Sequence, residues 1–399
     1  MNQSARYDAV VVGAGPAGSA SATVLAGAGL RTLVLEKSVF PRRKVCGAFL
    51  AAGARACLER LGVAAEVDRM KPERIERGRV QLLAGAPVEF ELPSPAFGIS
   101  RFALDDLIAR RAGRAGAEIR FGARVESIEV AGAGVLVRLA GGDRVSAAVA
   151  IGAWGRWDAL DRSLCRAFPA RRARYFAWSA EYGGDTAALA GQVRLYVFPG
   201  GYCGLSRIEG GRANLAGVVS EKARARMAGG WEAVVAHARR SNPGLDADLS
   251  NLALGPDGFL GTGPVFFTAK PPVENGLLMA GDAAGVLDPF SGEGQAAALG
   301  SGLLAGQIAA RRLNGAIAAE DLPRVYTRAW RAAFARPFTW SALFRRFMLH
   351  PTLGALGARL AGERLVRLAL DTFPSPPPAG KSRRRAWPGG SRDTRAASP

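Results

Sequence analysis

Tyr7-Asp8-Ala9-Val10-Val11-Val12-Gly13-Ala14-Gly15-Pro16-Ala17-Gly18 joins a short apolar run to a glycine-rich turn. The run over residues 7–12 has the composition of a strand buried on both faces. Gly13, Gly15 and Gly18 fit GxGxxG at the end of that strand and the start of a helix predicted over 16–29. In such a turn the first glycine permits the tight bend, the second lets backbone approach a pyrophosphate, and the third lets helix pack on sheet. The helix N-terminus adds free N–H groups and partial positive charge. Residues 31–35 read as a second buried strand. It ends at Glu36, 18 residues after Gly18, where a carboxylate can accept hydrogen bonds from ribose hydroxyls. Strand, helix and strand make one βαβ unit and predict an α/β, Rossmann-like domain on a parallel sheet. This unit alone leaves FAD and NAD both open.

Further along, residues 100–115 form an amphipathic helix with Ser100 as its N-cap. Strand patterns follow at 118–121, 123–130, 134–139 and 145–151, with a last buried strand at 277–280. Between 192 and 219 short strands alternate with Gly200-Gly201 and Gly210-Gly211 turns, which predicts an antiparallel sheet. A small-residue helix spans 294–312. The resulting organisation is a discontinuous dinucleotide-binding domain (1–75, 97–160 and 255–320) and a substrate domain (76–96 and 161–254). A C-terminal helical region covers 321–375. The Pro/Gly/Arg/Ser-rich stretch 376–399, with six basic residues against one acidic, reads as a disordered basic tail.

Composition excludes several classes. Of 53 basic residues against 34 acidic only six are Lys, so the net charge of +19 reads as arginine-rich composition, and no nucleic-acid partner is expected. Four cysteines without CxxC spacing and two histidines give no zinc pattern and no metal. Residues 9–30 carry no charge, but five glycines and Pro16 interrupt them. They are therefore expected to fold in a soluble, cytoplasmic protein rather than to span a membrane.

The second half of the chain decides the cofactor. Ala280-Gly281-Asp282-Ala283-Ala284-Gly285 follows a buried strand and leads to Pro289-Phe290-Ser291-Gly292-Glu293-Gly294-Gln295. This resembles the GDA–Pro–G–G segment of glutathione-reductase-type flavoproteins. The resemblance implies FAD, with Asp282 on the ribityl hydroxyls and the helix from Gly294 pointing at the ring. A helix N-terminus there stabilises negative charge on the reduced flavin.

Three further pieces sharpen the likeness. They are Phe40-Pro41-Arg42-Arg43-Lys44-Val45-Cys46-Gly47, Ser100-Arg101-Phe102-Ala103-Leu104-Asp105, and Val197-Phe198-Pro199-Gly200-Gly201-Tyr202 continuing to Gly211-Arg212-Ala213-Asn214. Over residues 5–310 the chain resembles the geranylgeranyl-reductase-like branch of FAD-dependent oxidoreductases, related to the para-hydroxybenzoate hydroxylase group. By this resemblance Cys46, Gly47, Arg101 and Val125 join Glu36 and Asp282 as cofactor contacts. The candidate set is then Gly13, Gly15, Ala17, Gly18, Glu36, Lys37, Cys46, Gly47, Arg101, Val125, Asp282, Gly294 and Gln295. Cys46 is also the catalytic candidate, a thiol able to protonate one carbon while flavin N5 delivers hydride to its neighbour. A small buried thiol packed against the ring is the plainer alternative. Cys57, Cys165 and Cys203 read as core thiols. One departure stands out: related hydroxylases carry GADG where this chain has Gly152-Ala153-Trp154-Gly155. Trp154 replaces the Asp, which puts NADPH docking of the hydroxylase kind in doubt. The WxWxIP segment of flavin halogenases is missing.

Between 175 and 219 lie Tyr175, Phe176, Trp178, Tyr182, Tyr196, Phe198 and Tyr202. An aromatic-rich sheet over a flavin makes an apolar pocket that excludes water, with Tyr196, Phe198 and Tyr202 as candidate substrate contacts. Residues 340–373 mix apolar side chains with Arg345, Arg346, Arg359, Arg364 and Arg367. Such a helix either caps the domain or lies peripherally on the inner face of an anionic membrane. Three functions fit: a C=C reductase or dehydrogenase on a hydrophobic isoprenoid-like or polyketide-like substrate, an aromatic-hydroxylase-type monooxygenase, and a non-catalytic prenyl-binding protein. The Cys–Gly segment favours the first. NADPH or another electron donor, and the oligomeric state, stay open.

Overall fold

The computed structural model describes residues 5–83, 86–131, 134–168 and 175–348, and in it two sheets meet over one cleft. The first sheet has the order Val273–Glu274, Leu277–Met279, Arg144–Gly152, Ala5–Val12, Thr32–Glu36, Glu118–Phe121. Its central pairings are parallel. The antiparallel hairpin Val125–Ala131 and Gly134–Leu139 joins it beside Arg144–Gly152. Ala9, Val10 and Val11 are fully buried and every residue of Thr32–Glu36 is buried, as strands covered on both faces require.

The three glycines of the first turn act separately. Gly13 sits at φ +104°, and a Cβ there would come within 2.4 Å of the Ala153 carbonyl oxygen. At Gly18 a Cβ would lie 1.8 Å from the Gly13 oxygen. Gly15 faces open space, with the Arg101 guanidinium nearest at 3.9 Å. Pro16 opens the helix Pro16–Gly27, which packs on the helix Gly294–Leu313. That crossing is made by small residues: a Cβ on Gly302 would lie 2.2 Å from the Ala17 oxygen, and Ser21 Oγ donates to the Gly302 carbonyl at 2.9 Å. Close approach of the two helices brings the N-terminus of Gly294–Leu313 beside the glycine-rich turn.

The second sheet has the order Leu252–Leu254, Tyr175–Gly184, Ala213–Ser220, Gly201–Arg207, Gln192–Phe198, Glu73–Gln81, Val88–Gly98, Phe49–Leu50. Leu260–Val265, which the sequence reading assigned to the dinucleotide domain, pairs with Tyr175–Gly184 and belongs to this sheet. Strand alternation divides its two faces. Val193, Leu195 and Val197 pair with Ser206, Gly204 and Tyr202, which pair in turn with Asn214, Ala216 and Val218, and these face the cleft. The opposite face packs under the helices Trp231–Ser241 and Pro243–Leu249.

This division corrects part of the substrate assignment. Tyr196 and Phe198 are almost wholly buried in the cluster beneath those helices and, unlike Trp178 of the same cluster, do not line the cleft. Tyr196 donates its hydroxyl to Asp248 there. Of the three residues proposed, Tyr202 lines the cleft.

The helix Leu322–Met348 continues through Pro337 and packs on Gly294–Leu313. It buries Tyr326, whose hydroxyl donates to the Met279 carbonyl at 2.7 Å, and Trp330. The remainder of the expected helical region and the tail lie outside the described residues.

Candidate active site

The cleft runs from the glycine-rich turn to the face of the second sheet. At its nucleotide end the buried Glu36 carboxylate accepts from Ala14 N at 2.8 Å and Ser38 N at 2.9 Å. A carboxylate has about four lone-pair sites, so Glu36 shapes the turn and retains acceptor capacity for hydroxyls. Lys37 pairs with Asp158 at 2.5 Å across the mouth. Val125, buried, lines the cleft.

The middle of the cleft is cationic. Asp105, its side chain fully buried, accepts from Arg101 at 2.6 and 2.8 Å and from Arg42 at 3.1 Å. Arg42, Arg101, Lys44 and Arg156 all line the space. Burial, then the nearby Arg42, Arg101 and Arg156, push the Lys44 ammonium down to about 8. Burial and Arg101 also lower Arg156. Four cations converging on one space, two of them lowered by burial and by their cationic neighbours, are stabilised by a dianionic ligand, and Gly15 leaves open space beside them. These residues fit the FAD diphosphate.

At the far end Asp282 sits in the turn Gly281–Ala283 and lines the cleft. Its carbonyl accepts from Lys270 Nζ at 2.8 Å, and the same ammonium donates to the Arg156 carbonyl at 2.8 Å. Lys270 is buried, stands 4.1 Å from the Phe168 ring centroid, and is pushed down to about 8 by that burial. Sequence reasoning missed Lys270 and Arg156. A signal existed for the first: Lys37, Lys44 and Lys270, half of the six lysines in an arginine-rich chain, all meet this site.

Trp154 is buried, and its indole N–H donates to Asp161 Oδ1 at 3.1 Å. Asp161 pairs with buried Arg166 at 2.9 Å, and Arg166 donates to the Ala283 carbonyl at 3.0 Å. The residue standing in place of the hydroxylases' Asp thus belongs to a closed structural network that supports the turn Gly281–Ala283.

Cys46 lies in the wall between the two sheets. Its sulfur accepts from Ala48 N at 3.4 Å and from Gln295 Nε2 at 3.3 Å, and its carbonyl accepts from Asn214 Nδ2 at 3.1 Å. Gly47, Gly294 and Gln295 share the lining. Opposite is a floor of Ala177, Leu195, Gly204, Ser206, Ala216 and Val218, closed by Phe90 and Leu92. Small residues there leave volume for an apolar ligand. Tyr202 donates to Asp288 at 2.6 Å and packs edge-on against Phe290, tying this floor to the loop before Gly294. Cys57 and Cys203 are buried, which raises both thiols, whereas Cys165 is exposed and is not the core thiol expected. Among the described residues no group of His, Cys, Asp and Glu could hold a metal.

Comparison with known proteins agrees with this geometry. The FAD binding domain family model matches residues 6–182. The digeranylgeranylglycerophospholipid reductase 2 of Methanopyrus kandleri is 30% identical over 91% of this chain and 92% of its own. The chain belongs to the geranylgeranyl-reductase-like family of FAD-dependent oxidoreductases. It is an FAD enzyme, and the family extends over nearly its whole length: the Methanosarcina mazei digeranylgeranylglycerophospholipid reductase is 26% identical over 92% of this chain and 91% of its own. A menaquinone reductase of Mycolicibacterium smegmatis is 38% identical over 40% of each chain. Among solved structures, the flavin-dependent brominase Bmp2 superposes with a TM-score of 0.77 at 21% identity, covering 93% of this chain and 96% of its own. A geranylgeranyl bacteriochlorophyll reductase-like protein from Thermoplasma acidophilum gives 0.72 at 20%, covering 89% and 91%. At these identities the likeness is one of fold.

Proposed function

We propose that this family member adds hydrogen across, or removes it from, a C=C bond of a hydrophobic isoprenoid-like or polyketide-like substrate. The observation that carries the proposal is Cys46, a thiol held in the same cleft as an apolar floor of small residues. Bound FAD supplies the hydride at N5. In the reducing direction the Cys46 S–H bond breaks and its proton goes to the neighbouring carbon, so that hydride and proton together add one H₂. The sulfur left behind accepts from the Ala48 and Gln295 N–H groups. Arg42, Arg101, Lys44 and Arg156 bind the diphosphate, Glu36 the ribose, and Asp282 the ribityl chain. The apolar floor excludes water, which favours transfer to carbon over leakage. The names of the relatives support an isoprenoid chain, since digeranylgeranyl lipids and menaquinone both carry one.

NADPH or another carrier would regenerate the reduced cofactor, and Trp154, locked to Asp161, speaks against docking of the hydroxylase kind. The same closure weakens the monooxygenase alternative. An intact Asp282–Gln295 segment speaks against a purely prenyl-binding role. Loose attachment to a membrane is part of the proposal, supported by exposed Trp340 and Leu343; no described helix is long and apolar enough to cross one.

The test is anaerobic, dithionite-reduced enzyme mixed with geranylgeraniol, which has no quinone to reduce, and analysed by mass spectrometry. Gain of H₂ by the isoprenoid, slowed in Cys46→Ser with FAD retained, is expected. Full-speed reduction by that variant would overturn the proton-donor role. Admitting air to reduced enzyme should return the oxidised spectrum directly, whereas a transient third spectrum would favour hydroxylation.

A further inference from the structure

Gln295 opens the first turn of Gly294–Leu313, is 93% buried (7% exposed), and lines the cleft. One end of its amide is used: Nε2 donates to Cys46 Sγ at 3.3 Å. The other end is not. Oε1 is buried without a hydrogen-bond partner. A buried acceptor left unmet is costly, so this atom marks a place where a bound molecule completes the site.

A primary amide carries a donor at one end and an acceptor at the other. In the orientation observed, the sulfur accepts two N–H groups, from Ala48 and Gln295, which suits a sulfur without its proton. A protonated sulfur is better served by the amide turned over, with Oε1 accepting S–H and Nε2 facing the cleft. Each state of the sulfur therefore dictates what the amide presents at its other end. Arg101 and Arg156 on the walls, Lys44 on the same segment as Cys46, and Asp282 on the flavin-side loop are the charged groups that face this corner. None of them bonds the amide, so the sulfur is what sets its orientation.

We propose that Gln295 is a positioning residue that couples the proton on Cys46 to the flavin of bound FAD. With the thiol protonated the amide offers the ring an N–H, which favours the added negative charge of the reduced cofactor. With the proton gone it offers the ring a carbonyl, which disfavours that charge. The thiol would thus be charged with its proton when the cofactor is charged with its hydride. The inference rests on the reading of Cys46 as proton donor.

The experiment is a double-mutant cycle on the flavin midpoint potential, by dye equilibration on the FAD-loaded protein without substrate. The proteins are wild type, Cys46→Ser, Gln295→Met and the double variant. A serine hydroxyl does not give up its proton, so the variant loses the state in which the amide must turn its carbonyl to the ring, and Cys46→Ser should raise the potential by roughly 30 mV, tenfold for a two-electron couple. Gln295→Met keeps the volume but neither donor nor acceptor, and in that background Cys46→Ser should shift nothing. Equal shifts in both backgrounds, or no shift in either, would overturn the coupling. If Gln295→Met does not retain FAD, Gln295→Leu serves, since it too has neither donor nor acceptor and should likewise abolish the Cys46→Ser shift. Because no alkene is present, the coupling can fail while reduction through Cys46 stands. Equally, it can hold while no isoprenoid is reduced.

Discussion

Lys270 holds Asp282 by its backbone: the buried ammonium donates to the Asp282 carbonyl at 2.8 Å and, through a second proton, to that of Arg156 at 2.8 Å. One cation thereby fixes the two loops that bring a carboxylate and a guanidinium to the cleft. Lys270→Met should weaken FAD binding by roughly tenfold or more, since hydrogen bonds from a charged donor contribute about 1.5–3 kcal/mol each. Asp282→Ala should yield protein purified without FAD. Flavin fluorescence titration checks both, and unchanged affinity in Lys270→Met would mean the loops are held by the Arg166 network alone.

Asp105 is a different kind of support. Its carboxylate is fully buried and carries Arg101 and Arg42 together. Removing one side of a buried ion pair typically costs about 3–5 kcal/mol. Asp105→Ala should therefore lower Tm sharply even with excess FAD, whereas Lys37→Ala, whose partner pairing is half exposed, should change it little. Comparable Tm values for the two variants would contradict this.

The dinucleotide half was legible because each of its constraints is local. Gly13, Gly15 and Gly18 occupy positions that their own turn forbids to other residues or leaves open to a ligand, and Ser100 caps its helix as read, accepting from Ala103 N at 3.2 Å. Lys270 stood out only as one of six lysines in an arginine-rich chain, and its role was not legible, because that lies in contacts to residues 156 and 282, far apart in sequence. The sheet that carries Tyr196 and Tyr202 was legible as a sheet, but not which face lines the cleft. Alternation gives two sets of side chains, and only the helices Trp231–Ser241 and Pro243–Leu249, packed on one face, decide between them.

Glu293 offers a pH readout. Burial pushes its carboxyl up to about 7 from an ordinary value near 4.5. Because the folded state holds this proton more tightly than the unfolded chain, its stabilising contribution is complete below about pH 4.5 and is lost as pH rises through 7. Stability should fall by on the order of 2 kcal/mol between pH 5 and pH 8. Glu293→Gln, neutral throughout, should remove that part of the decline. Lys44 and Lys270, both pushed down to about 8, change charge in wild type and variant alike, so the difference between the two Tm curves isolates Glu293. Parallel curves from pH 5 to pH 8 would show that the carboxyl titrates in its ordinary range.

Tyr196 and Tyr202 test which face of the second sheet does the chemistry. Both hydroxyls bond a carboxylate, Asp248 for the first and Asp288 for the second, so Phe at either position loses a charge-assisted hydrogen bond and should lower stability by about 1–3 kcal/mol. Their effects on function should diverge. Tyr196→Phe perturbs a cluster sealed beneath two helices, and FAD affinity and turnover should stay within about twofold, well under the roughly 1.4 kcal/mol of a tenfold change. Tyr202→Phe removes one donor to Asp288, which caps the turn Pro289–Ser291 just ahead of Gly294, so the loop before that helix loosens and FAD affinity should fall several-fold. If Tyr196→Phe instead lost turnover with FAD retained, the substrate would have to reach the helix-covered face. The cleft floor of Leu195, Gly204 and Ala216 would then not be where it binds.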